Sequence, residues 1–186
     1  MTPLRNAPPG DLHAAFFETT IGLLGIAWSD RGVVGVQLPE ASASATRARM
    51  RQRFPEATEA RPSAVAKAAI DGIVTLLAGK PGDDLRAIEI DLRAVTQFDT
   101  AVYDVARSIA PGKTLSYGEI AERLGDPGAA RAVGQALGAN PIPIIIPCHR
   151  VLAAGNRAGG FSAPGGVTTK LRLLEIERRP LPFELT

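Results

Sequence analysis

The chain's single cysteine lies in a segment with little conformational freedom. Asn140-Pro141 leads into Ile142-Pro143-Ile144-Ile145-Ile146, which runs straight into Pro147-Cys148-His149-Arg150-Val151. Each proline fixes the backbone and removes an N–H donor, so the stretch is rigid, and its apolar content predicts burial. A thiol beside an imidazole, at the end of a rigid and buried segment, is the arrangement a reactive sulfur needs. That there is 1 cysteine in 186 residues matters as much. No second thiol can resolve an intermediate, close an internal disulfide or share a metal.

A chain of this length can bury a real core, as one domain or two small ones. Hydrophobic content of 45% and charged content of 22% are ordinary for a soluble globular protein. A single cysteine rules out a disulfide framework and predicts a reducing compartment. No long apolar stretch follows a basic segment at the N-terminus, so no secretory leader is expected. No run approaches the ~20 apolar residues of a membrane helix. Together these predict a cytoplasmic protein without membrane contact. The net charge of +2 and pI near 9.0 say little about partners. Their distribution says more. From Pro127 to Leu174 the charged residues are Arg131, Arg150, Arg157, Lys170 and Arg172, with no Asp or Glu. A one-sign block around the cysteine favours an anionic partner such as a phosphate backbone; the competing reading is a solvated face.

Residues 1–10 hold three prolines and a glycine and are expected to form a disordered tail. From Ala15 to Leu38 the apolar residues read as strands, broken by turn signals at Gly22 and Asp30-Arg31-Gly32. Ser44 to Phe54 predicts a short basic helix. Ser63 can cap a longer one running to Ala78, which Gly79 stops and Pro81 follows. Leu85 to Leu92 places Leu85, Ala87, Ile88 and Ile90 among charges, predicting one more strand. The second half differs in kind. Thr96 with Asp99 resembles a capping box, and Phe98, Val102, Ala106 and Ile109 follow at helical spacing. Ser116 with Glu119 forms another box and opens a helix through Leu124. Gly125-Asp126-Pro127-Gly128 is a turn, and Ala129 to Leu137 a second helix closed by Gly138. Helix, four-residue turn, helix is the helix-turn-helix signature. The expected fold is therefore α+β. A small domain over residues 11–92 carries a few-stranded antiparallel sheet and helices. A mostly helical domain over residues 96–182 contains the helix-turn-helix.

The helix Ala129-Ala130-Arg131-Ala132-Val133-Gly134-Gln135-Ala136-Leu137 is unusual in composition. Val133 and Leu137 give an inward stripe, and most other positions are Ala or Gly. Glycine costs a helix ~1 kcal/mol relative to alanine, so bulk is unwelcome on this surface. Long major-groove readers are missing, and Arg131 is the one long charged side chain. The combination suits a narrow groove and binding with little sequence preference. Tight helix packing inside the protein is the alternative.

A free thiol has a pKa of about 8.5 and must ionise before it can attack. His149 can act as base or stabilising charge. Adjacent residues of an extended segment point to opposite faces, so a turn or a bridging water is needed here. On the helix expected from Thr168 to Arg178, Leu173, Leu174 and Glu177 share one face. Glu177 should look inward and Glu175 outward. Asn140, just past the second helix, can hold the bend that leads to the cysteine. Taken alone these features have plainer readings: a buried free cysteine is commonly inert, and a carboxylate near a helix end is commonly solvated.

Three strings tip the balance: Ser116-Tyr117-Gly118-Glu119, Ala129-Ala130-Arg131-Ala132-Val133-Gly134, and Asn140 through Val151. With their spacing they closely resemble the methylated-DNA–protein-cysteine methyltransferases, also called O6-alkylguanine-DNA alkyltransferases, from about Phe98 to Glu177. Over the first 90 or so residues only the order of elements agrees. The resemblance implies a suicide enzyme of DNA repair that needs no cofactor. Such a protein binds duplex DNA in the minor groove, rotates an alkylated guanine out of the stack and moves the alkyl group from O6 to a cysteine, once. O4-alkylthymine is a second expected substrate. Carried over by position, Cys148 is the nucleophile, His149 a base acting through water, Glu177 its orienting acid and Asn140 the brace of the bend. Arg131 takes the place of the flipped base, on a helix whose Ala129, Ala130 and Gly134 face the groove. Tyr117, the carbonyls of Cys148 and Val151, Phe161 and the N–H of Ser162 surround the base. Phe161 stands where many relatives have tyrosine, and the loop Gly159–Gly166 is slightly longer than in several members. Some members hold zinc through cysteines in the N-terminal domain; this chain has none there, so no metal site is expected. A monomer is expected. The alternatives from other classes are a lesion-binding protein that transfers nothing and a cysteine hydrolase using Cys148, His149 and Glu177.

Overall fold

The computed structural model describes residues 11–80, 82 and 85–178. The expected tail over residues 1–10, Pro81, and residues 179–182 of the expected second domain lie outside the described residues.

Three strands, β1 (His13–Thr19), β2 (Gly22–Trp28) and β3 (Val33–Gln37), form an antiparallel meander. A two-residue strand, β4 (Thr58–Glu59), adds in parallel to β1, making a mixed sheet in the order β3-β2-β1-β4. Alternate residues of β1 and β2 serve opposite faces, as the strand period demands, while an irregularity in β3 opposite Ala27 and Trp28 puts Val33 and Val36 on one face. Ala14, Ala27 and Val34 meet Met50 and Phe54 of the segment formed by helix α1 (Ala43–Arg53) and its cap. Gly35 is required there, because a Cβ would lie 2.1 Å from the Phe54 ring. The other face presents Leu24, Ile26, Trp28, Val33 and Val36 to helix α2 (Ala64–Leu77) and to the second half of the chain. Ser63 caps α2 by accepting from the Ala66 N–H.

Leu85–Leu92 is not a strand. Ile90 alone bridges to Val33, and residues 85–88 turn, with Ile88 N–H bonded to Leu85 O. The apolar positions 85, 87, 88 and 90 break the period of two between Ala87 and Ile88, so no extended stretch can send them all to one side. Instead the Asp91 carboxylate collects Ser29 and Arg93 at the sheet edge.

The second half begins with α3 (Gln97–Arg107), capped by Thr96. Val102, Ala106 and Ile109 are buried as expected, but Phe98 is exposed because the first turn, residues 96–98, extends into solvent. Strand β5 (Leu115–Ser116) leads into α4 (Tyr117–Arg123), whose capping box is complete: Ser116 and Glu119 each accept the other's backbone N–H. A 3-10 turn over Pro127–Ala129, with Asp126 accepting from Gly128 N–H, connects to α5 (Ala130–Gly138). Ala129 thus belongs to the turn, and Gly138 is the last residue of the helix rather than its stop. α4 and α5 pack together as a helix-turn-helix, with α3 against α5. The Tyr103 hydroxyl of α3 donates to Ala136 O at 2.9 Å and fixes the end of α5.

After α5 the chain makes a tight buried hairpin. Ile146 N–H bonds to Ile142 O, and Ile144 takes a left-handed φ of 77°, rare for a β-branched residue. A 3-10 turn, Cys148–Arg150, then opens into β6 (Val151–Leu152), which pairs in parallel with β5. Helix α6 (Gly166–Arg178) closes the described chain. Apolar residues from both halves, from Leu24 and Ile73 to Val133, Ile145 and Leu173, form one continuous core.

Candidate active site

The 3-10 turn resolves the difficulty of adjacent side chains. In place of two opposite directions it turns Cys148 to a pocket and brings both His149 and Arg150 onto Glu177. Cys148, 8% exposed, reaches a pocket of about 470 Å³ lined also by Tyr117, Gly134, Leu137, Gly138, Gly160, Phe161 and Ser162. His149 is fully buried and its Nε2 lies 2.8 Å from Glu177 Oε1 on α6. Arg150 donates to the same carboxylate from Nε and Nη2, and from Nη1 to Ile109 O at the end of α3. Leu173 and Leu174 are buried beside Glu177, whose side chain is 1% exposed, while Glu175 faces solvent.

The electrostatics follow from this packing. Burial pushes the Glu177 carboxyl up, but hydrogen bonds from His149 and Arg150 and the Arg150 charge outweigh it and hold the group down at about 2. An ionised Glu177 only accepts, so Nε2 carries the proton. Burial lowers His149 despite Glu177, which keeps the imidazole neutral and leaves Nδ1 a lone pair. That atom is buried without a hydrogen-bond partner among the described residues. Burial pushes the Cys148 thiol up; the Asn140 side chain, the Lys170 charge and the N–H groups of Cys148 and His149 favour its thiolate. Burial raises Tyr117, as does the Cys148 charge. The site therefore rests as a neutral thiol beside a neutral base.

Asn140 ties both ends of the hairpin: its Nδ2 donates to Ile146 O at 2.8 Å and its Oδ1 accepts from Ile142 N–H at 2.9 Å. Ser162 Oγ donates to Gly138 O, closing the Gly159–Gly166 loop onto the end of α5. Phe161 is half-buried in the pocket wall. Gly134 lies against the Tyr117 ring, where a Cβ would make an ordinary 3.8 Å contact, and Gly138 has open space beside it. Neither glycine is demanded by internal packing. Ala129 and Ala130 are half-buried and Arg131 is exposed.

Two basic residues are placed otherwise than a basic surface would need. Arg150 is held by Glu177, and Lys170 is fully buried with Nζ 2.6 Å from Val151 O and 5.9 Å from the Tyr117 ring centre. The basic block is thus partly internal, since each cation has an acceptor inside. The Val151 carbonyl already takes one hydrogen bond and keeps its second lone pair. Lys170 was legible in principle: it stands three, four and seven residues before Leu173, Leu174 and Glu177, on the same helical stripe. No group of three or more His, Cys, Asp or Glu suited to a metal occurs, and no helix is long and apolar enough to cross a membrane, among the described residues.

The architecture defines a class: an α+β protein whose sole thiol opens beside a helix-turn-helix, backed by a buried His–Glu pair. The profile of the 6-O-methylguanine DNA methyltransferase DNA-binding domain matches residues 97–179. A methylated-DNA–protein-cysteine methyltransferase of Methanothermobacter thermautotrophicus is 36% identical over 155 residues, 83% of this chain and 78% of the relative. One from Mycobacterium tuberculosis is 50% identical over 99 residues, 53% of this chain; that match spans 58% of the relative's length. The structure of Mycobacterium tuberculosis OGT in complex with DNA superposes with a TM-score of 0.72 at 35% identity, covering 89% of this chain and 92% of the other. The chain belongs to the methylated-DNA–protein-cysteine methyltransferase family.

Proposed function

We propose that this protein repairs DNA by moving the alkyl group of O6-alkylguanine irreversibly to Cys148, one group per molecule. O4-alkylthymine is the second substrate. α5 enters the minor groove, Arg131 fills the space of the extruded base, and the guanine enters the pocket beside Tyr117. Extrusion costs a few kcal/mol, less where pairing is already damaged. His149 Nδ1 takes the thiol proton through a water, and Glu177 holds the imidazole in the tautomer that allows it. The sulfur lone pair forms the S–C bond as the C–O6 bond breaks. The released electron pair passes into the purine, a ring nitrogen takes a proton from Tyr117, and guanine departs restored. The Cys148 and Val151 carbonyls, Phe161 and the Ser162 N–H hold the base, while Asn140 braces the bend below the thiol. The protein acts as a monomer in the cytoplasm, where its thiol stays reduced.

The observation that carries this reading is a solitary thiol at a pocket walled by the small residues of α5, next to a buried imidazole with one nitrogen unpartnered. The relative solved with DNA supports the choice of partner. Intact-mass measurement after incubation with an O6-methylguanine duplex tests it. The expected result is one added methyl, mapped to Cys148, and a Cys148→Ala variant that binds the duplex without gaining mass. Binding with no mass change in the unaltered protein would mean lesion recognition alone. Many methyls removed per molecule would refute the single-use mechanism.

A further inference from the structure

Arg53 ends α1, in the half of the molecule away from the thiol, yet it is 6% exposed and its guanidinium reaches the active-site hairpin. Nη1 donates to Val36 O at 2.8 Å and to Gln37 Oε1 at 3.0 Å; Nη2 donates to Pro141 O at 2.9 Å. Pro141 O also accepts from Val36 N–H at 3.0 Å, so both its lone pairs are filled from the N-terminal half. The preceding residue is Asn140, which closes the hairpin and favours the Cys148 thiolate.

The partners of this buried cation are neutral oxygens. Burial, with the nearby charge of Arg49, lowers its pKa to about 10. A buried charge without a counter-ion is expensive to keep, and an apolar side chain of similar size would fill the space without that penalty. A planar fork has one property such a side chain lacks: it spans two carbonyls at fixed separation. Here those carbonyls belong to β3 and to the hairpin.

We propose that Arg53 is a positioning residue for the thiol: it sets the Pro141 carbonyl, and through it the Asn140 bend, where the reactive thiolate requires it. The inference rests on the alkyl-transfer reading, and its test keeps the two separable. Arg53→Lys keeps the cation but loses the fork; Arg53→Gln loses both. Each variant is checked for folding by Trp28 fluorescence. Three quantities are then measured: duplex affinity, the rate of methyl transfer, and the pH dependence of Cys148 alkylation by iodoacetamide without DNA.

Duplex affinity should stay unchanged. Transfer should slow about tenfold in Arg53→Gln and less in Arg53→Lys, and the iodoacetamide midpoint should move to higher pH in the same order. Folded variants with the wild-type midpoint overturn the proposal, whatever their transfer rate. Failure of both variants to fold assigns Arg53 to stability alone and overturns it as well. Wild-type protein that reacts with iodoacetamide but accepts no methyl refutes the transferase reading, while the midpoint shift still decides the role of Arg53.

Discussion

Glu177 serves an imidazole and a guanidinium with one carboxylate, and that sharing makes the site sensitive to acid. Its folded pKa is depressed to about 2, so its contribution to stability is complete above the unfolded carboxyl value of about 4.3 and is lost as pH falls toward the folded one. His149 is buried neutral, so the unfolded chain gains a proton below about 6.5 before the folded chain does. Both effects have the same sign, and stability should rise with pH from about 2 to about 6.5. At the alkaline end the sign reverses. Burial holds the Cys148 thiol up, so the unfolded chain releases its proton first and stability falls above about 8.5. Urea midpoints measured across this range check the profile; a flat acid limb would show that the pair is not buried as described. Glu177→Gln leaves Arg150 buried without its counter-charge and should cost about 3–5 kcal/mol at neutral pH, read from the same urea curves. Helical spacing turns Glu177 inward, as observed, while the roles of the cysteine, histidine and acid come only with the family resemblance. Arg150 could not be separated from the basic block, because a sequence does not say which arginines have a carboxylate waiting for them.

The elements were legible where a local rule governs them. Ser63, Thr96 and Ser116 cap the helices their positions imply, and apolar runs set off by turn signals at Gly22 and Asp30-Arg31-Gly32 mark β1 to β3. Local rules fail where pairing decides: β4 is two exposed residues with no pattern of their own, recruited by the edge of β1. α5 lies between these cases. Its glycines weaken it, and the space around Gly134 and Gly138 shows that the fold itself would accept alanine. Gly138→Ala should therefore stabilise the protein by up to about 1 kcal/mol in thermal denaturation and yet slow repair of duplex DNA. A more stable variant repairing at the wild-type rate would contradict close approach by this helix. Arg131 is exposed on the same element. Arg131→Ala should lose far more activity on duplex than on free O6-methylguanine, measured as methylated protein; equal losses would argue against insertion into the stack.

At the scale of the molecule, the sheet and the helix-turn-helix share one core instead of meeting across a polar seam. Arg172 of α6 reaches Thr20 O at the β1–β2 turn, and Arg107 of α3 reaches the carbonyls of Arg86 and Ile88. Unfolding should accordingly be one transition. Trp28 fluorescence reports the sheet and Cys148 exposure to a thiol reagent reports the other half; in urea the two curves should coincide. A gap between them would mean halves that melt independently. None of these long-range ties could be foreseen, because each joins residues far apart in the chain through carbonyls, which every residue possesses. The same point bears on the turn at Cys148–Arg150, where the sulfur leaves for the pocket while imidazole and guanidinium meet on Glu177 of α6, the guanidinium reaching also to the end of α3. At three residues per turn, one residue inserted or deleted there would rotate all three side chains by about 120°. Residue count at this junction, as much as residue identity, keeps the sulfur aimed at incoming DNA.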